Sequence, residues 1–152
     1  VFIEVKYKLF FFFFIMPTSK VIYLGELRTN ATHLLSKNSI ITDAPIDNHG
    51  KGEAFSPTDL TATSLASCMM TLMGIYANNH QMKIKYMEAE VSKIMSIDGP
   101  RRIVEIIVNL AIQLEGDYTN NQIKAIENAG RTCPVSKSLH PDIKQNLNFQ
   151  YL

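Results

Sequence analysis

Residues 60–82 contain no Asp, Glu, Lys or Arg, and this is the feature that most restricts how the chain can fold. The stretch opens as a helix. Ser56 suits the N-cap, Pro57 the first helical position, and Asp59 the carboxylate of a capping box. A helix with no charged face belongs inside a structure rather than on it. Leu60, Leu65, Met69, Leu72 and Met73 are bulky, whereas Thr61, Ala62, Ser64, Ala66 and Ser67 are small. Small side chains let another backbone approach, so a second helix is expected against this one. The pattern predicts a helix over 57–79, ended by Asn78-Asn79-His80. Cys68 lies in its middle.

The rest of the chain supplies what such a helix packs on. Residues 20–27, 31–35 and 39–42 read as short strands, with Arg28-Thr29-Asn30 a turn or strand end. Residues 43–55 read as a loop. Residues 82–96 and 101–114 form a hairpin around the turn signal Asp98-Gly99-Pro100. In its second strand Val104, Ile106, Val108, Leu110, Ile112 and Leu114 alternate with wetter positions, so one face is buried and the other solvated. Thr119 to Gln122 fits a capping box, Ile123, Ile126 and Ala129 give an apolar helical face, and Gly130 suits the C′ position. A short helix is expected after Cys133, and a last strand around Leu147-Asn148-Phe149. The order βββ-α-ββ-α-α-β predicts an α+β fold with antiparallel sheet and no βαβ crossover.

Composition narrows the function classes. With 152 residues, 46% hydrophobic and 19% charged, the chain is long enough for one domain with a real core. A net charge of +1 provides no strong field for nucleic acid or an acidic membrane. No run reaches the roughly 18 consecutive apolar residues of a membrane span. Two cysteines are too few for a disulfide scaffold, which favours a cytoplasmic protein. Residues 1–15, with Lys6 and Lys8 before five consecutive phenylalanines, resemble a signal-peptide core without a cleavage site. They are read as a non-native or upstream leader, with Met16 as the natural start and 16–152 as a single domain.

The chemistry rests on the two cysteines. Cys68 is about three turns past its helix start, too far for the helix dipole to favour a thiolate. If it is reactive, a cation must come from another segment; otherwise it is an inert buried thiol. Cys133 stands at the N-cap of a short helix, before Pro134, where free N–H groups favour a thiolate; equally, it could be a small residue tightening a helix start. Gly50-Lys51-Gly52 lacks the spacing of a phosphate loop, and His33, His49, His80 and His140 show no metal-binding spacing, so neither cofactor nor metal is expected.

Taken together, Ser56-Pro57-Thr58-Asp59-Leu60, Ala66-Ser67-Cys68 and Cys133-Pro134-Val135-Ser136 resemble the OsmC/Ohr family of osmotically inducible and organic-hydroperoxide-resistance proteins, over about residues 20–151. The resemblance implies antiparallel sheets wrapped around central helices in an intertwined homodimer. It implies a cysteine-based peroxidase in which Cys68 is peroxidatic and Cys133 resolving, re-reduced by an external dithiol, with a small-molecule peroxide as substrate. The family arginine that pairs with the thiolate comes from an early strand or loop, and Arg28 is the only arginine before residue 101. The organic-peroxide branch carries glutamate directly after the helix-opening proline. Thr58 stands there in this chain, with Asp59 and Glu53 the nearest carboxylates, a pattern similar to the OsmC-like branch. Arg28 is then the expected activating cation, held by Asp59 or Glu53. The competing reading of the same fold is a non-enzymatic dimer that binds a hydrophobic small ligand at its interface.

Overall fold

The structure, a computed structural model, describes residues 16–152, and the expected leader 1–15 lies outside them. Strands β1 (Ser19–Gly25), β2 (Arg28–His33) and β3 (Ser39–Thr42) form one antiparallel sheet. Helix α1 (Pro57–Asn79) follows, then β4 (Lys83–Met95), β5 (Ile103–Glu115), α2 (Asn120–Arg131), α3 (Pro134–Ser138) and β6 (Lys144–Tyr151). The second sheet has the order β4-β5-β6.

Helix α1 begins as its sequence dictates. The Ser56 hydroxyl accepts the Asp59 N–H at 3.1 Å, and the Asp59 carboxylate accepts the Ser56 N–H at 2.8 Å, so two otherwise orphaned donors are satisfied reciprocally. Ala62, Leu65, Ala66, Met69, Met73 and Ala77 are buried between the β4–β5–β6 sheet and α2, with Met69 and Met73 lying against Gly130 of α2. By length and hydropathy alone α1 could cross a membrane. It packs instead against β4, β5, α2 and α3.

On β5, Ile106, Val108, Leu110 and Ile112 are each no more than 1% exposed. Burying each contributes about 1.5–3 kcal/mol, so a one-residue slip that turned all four outward would cost far more than a domain's net stability could absorb. The alternation breaks at the strand's start. A register irregularity opposite Ile94/Met95 turns Ile103 inward in place of the expected Val104.

Three details differ from the sequence expectation. Of the two readings for Arg28, turn or strand end, the second holds: Arg28 opens β2, because the hairpin closes earlier, on Glu26 and Leu27, both with positive φ (48° and 63°), within the expected 20–27 strand. Two-residue turns of this kind normally advertise themselves with Asn-Gly or Asp-Gly, and Gly25-Glu26-Leu27 does not. Gly130 lies inside α2, not beyond its end. Met73 packs onto it so closely that a Cβ there would stand 3.0 Å from the sulfur. Finally, β6 pairs with β5 in parallel, so the chain contains a crossover after all. The connection through α2 and α3 is long enough to carry the strand back to the same end of the sheet.

The β1–β2–β3 sheet is uncovered in a single chain. Val21, Ile22, Tyr23, Leu24, Ile40 and Ile41 are all about half exposed or more.

Candidate functional site

The centre of the site is the contact between α1 and the start of α3. Cys68 is half-buried, and Cys133 is fully buried. Both belong to one cluster, with Leu65, Met69, Ile106, Val108 and Leu147 around them. Both are free thiols. Cys133 occupies the N-cap of α3 with extended backbone (φ −64°, ψ 153°), and its sulfur accepts the Ser136 N–H at 3.4 Å. Burial nevertheless pushes the Cys133 thiol up, against the opposing pull of the Ser136 and Val135 N–H groups, and hydrogen bonding with the Cys68 side chain pushes the same way. Of the two sequence readings for Cys133, desolvation therefore outweighs the helix start. A one-turn helix offers too few free N–H groups to offset removal from water.

Arg28 lies elsewhere in the single chain. Its guanidinium donates to the Asp43 carboxylate at 3.2 Å and pairs with the Glu53 carboxylate. The Asp43 side chain is 0% exposed, whereas that of Glu53 is 61% exposed. The Glu53 backbone N–H, donating to Asp43 at 3.0 Å, is the main reason the Asp43 carboxyl is held below its usual range; burial opposes this and Arg28 adds to it. Of the two carboxylates expected to hold Arg28, Glu53 does so. Asp59 is engaged by the Lys93 ammonium at 2.6 Å. Burial works against the Asp59 carboxylate, but hydrogen bonds from Lys93 and Ser56 outweigh it and keep its pKa low. Glu53, Phe55, Asp59, Ala62, Val91 and Lys93 share the wall of a cleft of about 440 Å³.

Within one chain these residues fall into two groups. Asp59 and Cys68 are nine residues apart on α1, about 13 Å along the axis at 1.5 Å per residue, so Asp59 is a cap and not a neighbour of the sulfur. Among the described residues, the hydrogen-bond partners of Arg28 are Asp43 and Glu53, not Cys68. Arg131, close to Cys133 in sequence, is also occupied: its guanidinium lies 4.5 Å from the centre of the Phe149 ring and reaches the Leu147 carbonyl at 3.4 Å. No three His, Cys, Asp or Glu side chains among the described residues converge as a metal site requires.

Residues 50–148, well over half the chain, match the family model described as OsmC-like protein. The chain belongs to the OsmC-like family. The similarity extends to solved structures. A Psychrobacter arcticus protein named for osmotic stress induction and a detoxification response is 53% identical, with a TM-score of 0.81, covering 91% of this chain and 99% of that one. An organic hydroperoxide resistance protein from Legionella pneumophila is 16% identical with a TM-score of 0.66, covering 87% of this chain and 94% of that one. Another from Elizabethkingia anophelis, with thiocyanate bound, is 14% identical with a TM-score of 0.67, covering 90% and 98%. At that identity the two latter likenesses bear on the fold alone. No curated protein matches this chain.

Two charged side chains of this region escaped the sequence reading. Lys93 left a trace: it occupies a position that the alternation of Met87, Ala89 and Val91 assigns to the inward face of β4, where a lone charge demands a partner. Asp43 left none, because an Asp between a strand and a Pro-containing loop reads as an ordinary turn residue.

Proposed function

We propose that this OsmC-like protein is a thiol peroxidase that reduces organic hydroperoxides with Cys68 and Cys133. The observation that carries the reading is the convergence of the two cysteines, 65 positions apart in sequence, in one cluster, the first only partly buried and the second sealed. An inert pair would have no need of that difference in access. The chemistry follows from it. The Cys68 thiolate attacks the distal oxygen of the hydroperoxide; an S–O bond forms, the O–O bond breaks, and the alkoxide leaves as an alcohol after taking a proton. Sulfur is oxidised by two electrons to a sulfenic acid. Cys133 then displaces the sulfenic oxygen, giving a Cys68–Cys133 disulfide and water. An external dithiol restores both thiols by exchange and is itself oxidised to a disulfide. The apolar surroundings of Cys68, with Leu72 and Met69 close by, favour an alkyl hydroperoxide over hydrogen peroxide.

In this reading Arg28 is the cation that favours the Cys68 thiolate. Because its partners in a single chain are Asp43 and Glu53, it meets Cys68 across a homodimer interface. The uncovered β1–β2–β3 sheet and the exposed Ile75 on α1 support that assembly, since each leaves apolar surface in water that a second copy would cover. Light scattering at micromolar concentration is expected to return the mass of two chains, and a folded monomer would overturn the dimer.

The reading is tested by titrating thiols. One equivalent of cumene hydroperoxide per chain is expected to remove both free thiols within the mixing time of a manual assay, leaving an intramolecular disulfide. Slow loss, comparable with that of a denatured control, would instead favour the ligand-binding dimer.

A further inference from the structure

Among the described residues, three buried side-chain polar atoms lack a hydrogen-bond partner, and two of them face the same problem: Arg28 Nε and Asp43 Oδ1. Both belong to the Arg28–Asp43 pair, which is joined by a single bond of 3.2 Å through Arg28 Nη2 and Asp43 Oδ2. A carboxylate and a guanidinium in contact usually close a two-bond fork. Here each keeps one site in reserve. The Asp43 side chain is sealed from solvent and is tied down by the Glu53 N–H on Oδ2 and, through its own backbone N–H, by the Phe55 carbonyl at 3.1 Å. It cannot follow Arg28 if the guanidinium moves. Glu53, the other partner, has a mostly exposed side chain and can. The nearby charges Glu26 and Lys51 pair with one another, and so do not compete strongly for Arg28.

We propose that Asp43 is the positioning residue for Arg28: a fixed, buried carboxylate that retains one edge of the guanidinium while Glu53 is exchanged for the Cys68 thiolate. This rests on the peroxidase reading above and adds to it the residue that aims the cation. The geometry explains why a carboxylate with no access to substrate is kept charged in a closed site. A guanidinium held by one fixed and one displaceable partner keeps its orientation while presenting donors to a new anion. If both partners were surface residues, Arg28 would be free to turn away, and two fixed partners would leave it unable to reach the sulfur.

The test reads Cys68 directly, by the pH dependence of its alkylation with iodoacetamide in the full-length Cys133→Ser protein, where Cys68 is the single thiol. Arg28→Lys keeps the charge beside Asp43 but loses the planar fork, and is expected to move the profile up by about one pH unit, a roughly tenfold lower rate at pH 7. Asp43→Asn keeps an oxygen for the Glu53 N–H and is expected to give at least half of that shift. In the Arg28→Lys background, Asp43→Asn should add nothing further, since a residue that acts only through another has no effect once the other is gone. An unchanged profile in folded Asp43→Asn, or fully additive shifts, would overturn the proposal while leaving Arg28 in place. An unchanged profile in Arg28→Lys would remove the role of Arg28 itself and the proposal with it. Should Asp43→Asn not fold, Glu53→Gln decides: a shift as large as that of Arg28→Lys would mean that Glu53 is the aiming residue and overturn the assignment, and a clearly smaller one supports Asp43. Cumene hydroperoxide turnover, measured separately with both cysteines present, distinguishes failure of this assignment from failure of the peroxidase reading.

Discussion

Cys68→Ser is expected to abolish hydroperoxide turnover, whereas Cys133→Ser is expected to allow one oxidation per chain and then stop. The difference follows from access. A peroxide must reach the sulfur it oxidises, and Cys133 has no exposed surface. With Cys68 replaced, no accessible nucleophile remains at the cluster, and a serine hydroxyl, far less acidic than a thiol, does not attack the O–O bond at neutral pH. With Cys133 replaced, the first step is untouched and the second has no partner. The product should be a sulfenic acid on Cys68 that reacts with dimedone and adds its mass to the chain. The Cys133→Ser protein should also fold. Serine is a favoured N-cap, and its hydroxyl can accept the Ser136 N–H that the sulfur now accepts, so the start of α3 is retained. Residual steady-state turnover in Cys68→Ser, or dimedone labelling at position 133 in the intact protein, would reverse the roles.

The parts of this structure that could be read from the sequence are those that local rules determine. The Ser56–Asp59 capping box, the uncharged run after it and the alternation of β5 from Ile106 to Ile112 each depend on residues close in sequence, and each appears where its pattern puts it. What could not be read depends on contacts between distant segments. Gly130 carries the signature of a helix end, but Met73 from another helix uses its missing side chain as packing space. The parallel pairing of β6 follows from how α2 and α3 return the chain, and nothing within residues 144–151 encodes it. The same division runs through the site. Cys68 and Cys133 were legible because a helix interior and a Cys-Pro helix start are local features. Asp43 was not, since its importance lies in an arginine 15 residues earlier and in a backbone N–H ten residues later. Arg28 lies between these cases. Its type and place in the chain suggested a role, but its partners Asp43 and Glu53 come from a loop that no local pattern ties to it.

Arg28→Met should lower the rate of Cys68 alkylation at pH 7 by about tenfold or more, the effect of moving the profile by one unit, equivalent to about 1.4 kcal/mol. The helix start is too distant from Cys68 to favour a thiolate, and Arg131 is occupied with Phe149. Methionine fills similar space but brings neither charge nor donor. Unlike Arg28→Lys, this change also leaves Asp43 without its cation, so stability must be measured alongside reactivity. The sign of that second effect can be worked out. The Asp43 carboxyl is held low by the Glu53 N–H first and by Arg28 in addition, against burial. A carboxyl depressed on folding contributes stability that is present above its unfolded pKa and lost as pH falls through its folded value. Removing Arg28 reduces the depression. Arg28→Met should therefore be less stable than the parent at pH 7, and the gap should narrow as pH falls below about 4, through the range in which Asp43 becomes protonated in the folded protein as well as in the unfolded chain. Denaturant midpoints at pH 7 and pH 3.5, taken with the alkylation profile, separate the two roles of the guanidinium. A stability gap that closes in acid together with an unchanged alkylation profile would make Arg28 a counter-ion for Asp43 and nothing more. A shifted profile in a protein that is still folded at pH 7 would make it the group that arms Cys68.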